Sequence, residues 1–136
     1  MEKPIVRDVF FLSQKSTPVT PDDLACVRDL IDTFNAHRQH CAGMAANMIG
    51  FSKRAIIAAD DKMTLVMLNP MITAKKHPYE TSEGCLSLDG QRKTTRFREI
   101  TVTYQDLSFR KHTHKYTGFT AQVLQHEIDH LDGIII

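Results

Sequence analysis

The stretch Gln125-His126-Glu127-Ile128-Asp129-His130, close to the end of a 136-residue chain, decides the reading of this sequence. It has the form H-E-x-x-H inside a segment of helical period. Residues four apart lie one turn above each other on an α-helix. Two imidazoles at that spacing can grip one metal ion, and the Glu beside the first His is placed to act on a water activated there. Two His ligands still need a third. Only Leu131 through Ile136 follow, and Asp132 is the one usual ligand type among them. The third ligand is therefore sought upstream.

The upstream candidate is Cys85, in Glu83-Gly84-Cys85-Leu86-Ser87-Leu88. A thiolate and two imidazoles leave one coordination position open, as a catalytic rather than structural site requires. Two other readings of Cys85 stand beside this one. It can be an inert core cysteine, or a nucleophile paired with a His. The H-E-x-x-H reading accounts for more residues than either. Glu127 reads as the general base that takes a proton from water and passes it to a leaving amine.

Three segments carry a family resemblance. E-G-C-L-S at Glu83–Ser87 is followed about forty residues later by H-E-x-D-H-L at His126–Leu131. Gly43-Met44-Ala45-Ala46-Asn47-Met48-Ile49-Gly50 precedes both. In order and spacing these resemble the motifs of the peptide deformylases, and they span residues 41 to 133. The resemblance implies a hydrolase that removes the N-formyl group from the formyl-methionine of nascent polypeptides, releasing formate. It implies one divalent ion, Fe²⁺ natively, at a Cys85-His126-His130 site that also accepts Zn²⁺, Ni²⁺ or Co²⁺. It further implies that Gly43 and Leu86 line the substrate cleft, that backbone near Leu86 donates to the formyl oxygen, and that Arg92 contacts substrate. The partner implied is an N-formylmethionyl peptide, with contact to the ribosome.

The match has breaks. Met48 stands where the motif has a Gln whose amide donates to the formyl oxygen, and a thioether cannot donate a hydrogen bond. Losing one such donor typically costs about 10²–10³ in rate. Cys41 replaces the motif's leading Gly, and Asp89 stands where Pro is common. These departures leave, as one reading, a working deformylase or one slowed by the missing donor. The alternative is a deformylase-like metal-binding protein with a different substrate or a non-catalytic role.

Away from the motifs, residues 1–136 read as one α+β domain: mixed or antiparallel β-sheets around the metal-bearing helix, with an N-terminal helix. The composition, 42% hydrophobic and 24% charged, is that of a globular protein. A formal net charge of +1 gives no general drive toward nucleic acid or anionic membrane. No apolar run approaches the roughly 20 residues that span a bilayer, and no secretory signal is visible. Three cysteines, Cys26, Cys41 and Cys85, form no disulfide framework and fit a cytoplasmic protein.

Thr20-Pro21-Asp22-Asp23 is a helix start, followed by Leu24, Val27, Leu30, Ile31 and Phe34 at helical spacing. Residues 54–58 and 64–68 read as strands joined by a turn around Asp60-Asp61, with Asn69-Pro70 ending the second. Residues 99–105 alternate as a half-buried strand does. His112 and His114 read as part of a solvated basic turn. Residues 118–131 read as the metal helix, with Gly133 as its stop.

Overall fold

A computed structural model describes residues 1–60 and 63–136. The chain runs through a short helix α1 (Val9–Leu12), a 3₁₀ turn at Pro21–Asp23, and α2 (Leu24–Ala36). After β1 (Gly43–Ala45) come a second 3₁₀ turn (Ala46–Ile49) and β2 (Ala55–Asp60). Then follow β3 (Met63–Cys85), β4 (Leu88–Gln105), β5 (Lys111–Thr117) and α3 (Gly118–Leu131). The α+β class is as expected. The strands form one sheet in the order β1-β2-β3-β4-β5, and every neighbouring pair is antiparallel.

The helix α2 starts as its sequence predicts. Thr20 donates from its backbone N–H and its hydroxyl to the Asp23 carboxylate, at 2.9 and 3.1 Å, and Pro21 opens the 3₁₀ turn. Val27, Leu30 and Phe34 turn inward. They meet Met44 and Ala45 of β1, Ile56 and Ile57 of β2, and Leu124, Ile128 and Leu131 of α3 in one core. Helix α3 therefore lies against the sheet, with α2 on the same core, and nine of its residues are buried.

Two expectations are corrected. Asn69-Pro70 does not end its strand; β3 continues to Cys85 across a register shift between Leu68 and Met71. Asn69 takes φ 51, a conformation Asn tolerates better than most residues. Its side chain bonds Val19 N at 2.7 Å, Val19 O at 3.2 Å and Gln105 Oε1 at 2.8 Å, so the polar groups around the bulge are satisfied. Proline is admitted at such a bulge because no ladder bond is lost there.

His112 and His114 lie in strand β5, not in a turn. The turn sits just before, where the Asp106 carboxylate accepts from Ser108 N at 2.8 Å and Arg110 N at 3.0 Å. Asp61, in the expected turn after β2, lies outside the described residues.

The end of α3 is fixed by a Schellman pair: Gly133 N–H to His130 O and Ile134 N–H to Asp129 O, both 3.0 Å. Gly133 has φ +78, and a Cβ there would lie 2.3 Å from Ser13 O. Any other residue would be strained and would collide with the chain after α1. This lock holds α3 at its C-terminal end.

Candidate metal centre

Three elements converge on one cavity of about 470 Å³. The end of β3 and the turn after it supply Cys85 and Leu86. Strand β1 and its 3₁₀ turn supply Gly43 and Met48. Helix α3 supplies Val123, His126 and Glu127. His130 lies one turn further along α3 and is fully buried. One ligand atom each of Cys85, His126 and His130 lies within 4.8 Å of the others. The two Nε2 atoms are 3.0 Å apart, so both imidazoles aim at one point.

The tautomer of His126 is set from behind. Its Nδ1 bonds Glu83 Oε1 at 2.8 Å, which leaves Nε2 facing the site. Glu83 is itself gripped by Arg96, through Nε at 3.1 and 3.0 Å and Nη2 at 2.7 Å, and by Gln122 Nε2 at 2.8 Å. Burial works against charge on Glu83, but its bonds from His126, Arg96 and Gln122 prevail and hold the carboxyl at about 2. Arg96 also reaches Asp129 on α3 at 2.5 Å. Burial likewise opposes charge on His126, yet bonds to Cys85 and Glu83 raise its pKa. Burial and the neighbouring His126 lower that of His130.

The donor set fits a divalent ion of borderline softness: one sulfur, two imidazole nitrogens, and an orienting carboxylate behind one of them. Ser87 N–H adds a donor to Cys85 Sγ at 3.5 Å. Beside the donors stands Glu127, buried, with Oε1 unpaired among the described residues. Burial pushes its carboxyl up to about 7. Gly43 is what lets β1 approach it. A Cβ at residue 43 would lie 2.7 Å from Val123 Cγ1 and 3.0 Å from Glu127 Oε2.

Of the other sequence-chosen positions, Gly43, Leu86 and Met48 line the cavity. Met48 is 1% exposed, and its sulfur accepts from Ala45 N–H at 3.4 Å, so the thioether closes the 3₁₀ turn. Cys41 also lines the cavity. Its thiol donates to His37 O at 3.3 Å, and burial pushes its pKa up to about 11. Arg92 stands opposite Glu83 in the β3–β4 register, outside the cavity walls, with Nη1 buried and unpaired among the described residues.

Sequence reasoning missed Glu83, Arg96, Gln122 and Asn47, whose Nδ2 donates to His130 O at 2.8 Å. A signal existed for two of them. Glu83 is two residues before Cys85, hence on the same strand face, and Gln122 is one turn before His126 on α3. Nothing local marks Arg96 or Asn47.

The sequence matches the polypeptide deformylase family over residues 3–136. It is 52% identical to a peptide deformylase of Clostridium beijerinckii over 136 residues, all of both chains. It is 36% identical to one from Chlorobium luteolum, over 91% of this chain and 70% of that one. The fold superposes on the crystal structure of peptide deformylase from Thermus thermophilus with a TM-score of 0.86 and 33% identity, over 99% of this chain and 83% of that one. It also superposes on the Met-Ala-Ser-bound class I type b peptide deformylase of Acinetobacter baumannii, with a TM-score of 0.89 and 26% identity over 99% and 97%.

Proposed function

The chain belongs to the peptide deformylase family, and from that premise we propose that Cys85, His126 and His130 hold its metal ion and that Glu127 is its general base. Deformylases are metal-dependent hydrolases, and the reaction is removal of the formyl group from an N-terminal methionine.

The observation that carries the residue assignment is convergence. Three ligand atoms lie within 4.8 Å, beside a buried carboxylate with an unpaired oxygen. A divalent ion bound there supplies Lewis acidity, lowering the pKa of water and polarising the formyl carbonyl. Glu127 takes a proton from the attacking water. The formyl C–N bond breaks, Glu127 passes the proton to the departing amine, and formate leaves. Burial serves both transfers, because a carboxyl near 7 exchanges protons readily around neutral pH.

The walls at Gly43, Val123 and Leu86 are apolar and suit a methionine side chain. That the Acinetobacter protein binds Met-Ala-Ser supports a peptide beginning with methionine as the occupant. Leu86 and its turn are assigned to the formyl oxygen. Met48 leaves that oxygen one donor short, so the enzyme is a slow member of its family. Arg92 is kept as a contact to the more distant part of the peptide.

Fe²⁺ is the native ion, with Zn²⁺, Ni²⁺ or Co²⁺ as substitutes. The substrate is the formyl-methionyl end of the nascent chain, met in the cytoplasm at the ribosome. No helix among the described residues is long and apolar enough to cross a membrane.

Elemental analysis tests the ligand set. Wild type is expected to hold one equivalent of divalent metal and Cys85→Ala far less. Equal stoichiometry in both would remove Cys85 from the site.

A further inference from the structure

The segment before α1 touches both turns that flank the cavity. Val6 N–H donates to Met48 O at 2.7 Å. Its neighbour Arg7 donates from Nη1 to Leu86 O at 3.3 Å and from Nη2 to Asp89 Oδ1 at 2.8 Å. Among the described residues, no hydrogen bond joins the 46–50 turn directly to the 86–89 turn. The N-terminal segment bridges them.

Leu86 O belongs to the same planar peptide unit as Ser87 N–H. In a trans peptide the two groups point in opposite directions, so fixing one fixes the other. Here the carbonyl end is held by the Arg7 fork, and the N–H end donates to Cys85 Sγ at 3.5 Å. A cation on the carbonyl also polarises the amide and strengthens its N–H as a donor. Asp89, at the far side of the same turn, completes the fork by pairing with the second guanidinium nitrogen.

We infer that Arg7 is a positioning residue for the Cys85 sulfur: it orients and polarises the Leu86–Ser87 peptide whose N–H bonds that sulfur. The inference rests on Cys85 being a metal ligand. Val6 anchors the same strap on Met48, so Arg7 is fixed to the opposite wall of the cavity. The charge of Arg7 thus acts on the ligand through one peptide plane, while the side chain lies outside the cavity.

Co²⁺-loaded protein tests this, with the sulfur-to-cobalt charge-transfer band and Co²⁺ affinity by chelator competition as readouts. Direct outer partners of metal ligands are worth about 10–100-fold in affinity. Arg7 is one step further out and its side chain is 55% exposed, so about threefold weaker binding is expected for Arg7→Ala. The band should shift, because the sulfur loses an oriented donor. Asp89→Ala keeps the bond to Leu86 O and should show a smaller change in the same direction. The double variant should add nothing to Arg7→Ala.

Melting temperature is the control for a merely structural role, and it should move little. An Arg7→Ala protein with the wild-type band and affinity would overturn the inference, as would an unshifted band with weaker binding. Absence of the charge-transfer band from the wild type would instead remove Cys85 as a ligand.

Discussion

The two walls of the cavity are built to different standards. On the α3 side, Glu83, Arg96 and Asn47 stand buried behind the candidate ligand atoms, and Glu83 and Arg96 are multiply bonded. Glu83 receives Arg96, Gln122 and His126 at once, Arg96 continues to Asp129, and Asn47 holds the His130 carbonyl. On the other side, where the formyl oxygen would lie, Met48 presents a thioether whose sulfur is engaged by Ala45 N–H. The turn at Leu86 is braced there by an exposed ion pair, with side chains 55% and 95% accessible.

This difference has a physical reason. An ion, its ligands and the proton-transferring carboxylate act together, and losing any member removes the reaction path. Donors to a developing negative charge act in increments of about 10²–10³ in rate each. A site can therefore shed one donor and still turn over, whereas it cannot shed a ligand.

Three changes probe the contrast. The largest effect belongs to Glu127→Ala, which removes the proton carrier and no ligand. Formate release from a formyl-methionyl peptide should fall at least about 10³-fold, while metal content stays at the wild-type level. Loss of metal along with activity would mean that Glu127 holds the centre together rather than moving protons.

Glu83→Ala comes next. It frees the His126 ring from its tautomer and leaves Arg96 with one carboxylate partner fewer in a buried setting. Metal affinity by chelator competition should drop about 10–100-fold. The melting temperature should drop as well, because half of a broken buried ion pair costs about 3–5 kcal/mol. Unchanged affinity would mean that His126 is oriented by the helix alone.

Legibility in the sequence followed locality. His126, Glu127 and His130 were readable because their relation is a helical period, and Cys85 because its neighbours carry a motif. The helix α3 was legible for the same reason, including its stop at Gly133. Asn69-Pro70 looked like a strand end, since the two residues are strand breakers. Only the distant partners Val19 and Gln105 turn the break into a bulge. His112 and His114 looked like a turn because charge marks solvent, but an edge strand is also solvated. Arg96 was invisible. Its role depends on β4 lying beside β3 in one particular register, with Arg96 opposite Tyr79, and no local pattern encodes that. Met48 was legible as a side chain that cannot donate a hydrogen bond, but not as an acceptor for Ala45 N–H.

That last point makes the weak wall directly testable. A Gln at residue 48 has a carbonyl to take the Ala45 N–H in place of the sulfur, and an amide left over to donate into the cavity. The oxyanion is fully developed only near the transition state, so the gain should appear in kcat more than in KM. The decisive measurement is kcat for formate release by Met48→Gln and wild type, anaerobically and at equal Fe²⁺ occupancy. A rise of about tenfold or more is expected for Met48→Gln. An unchanged or lower kcat, with fold and metal content intact, would contradict it and mean that the formyl oxygen does not lie against residue 48.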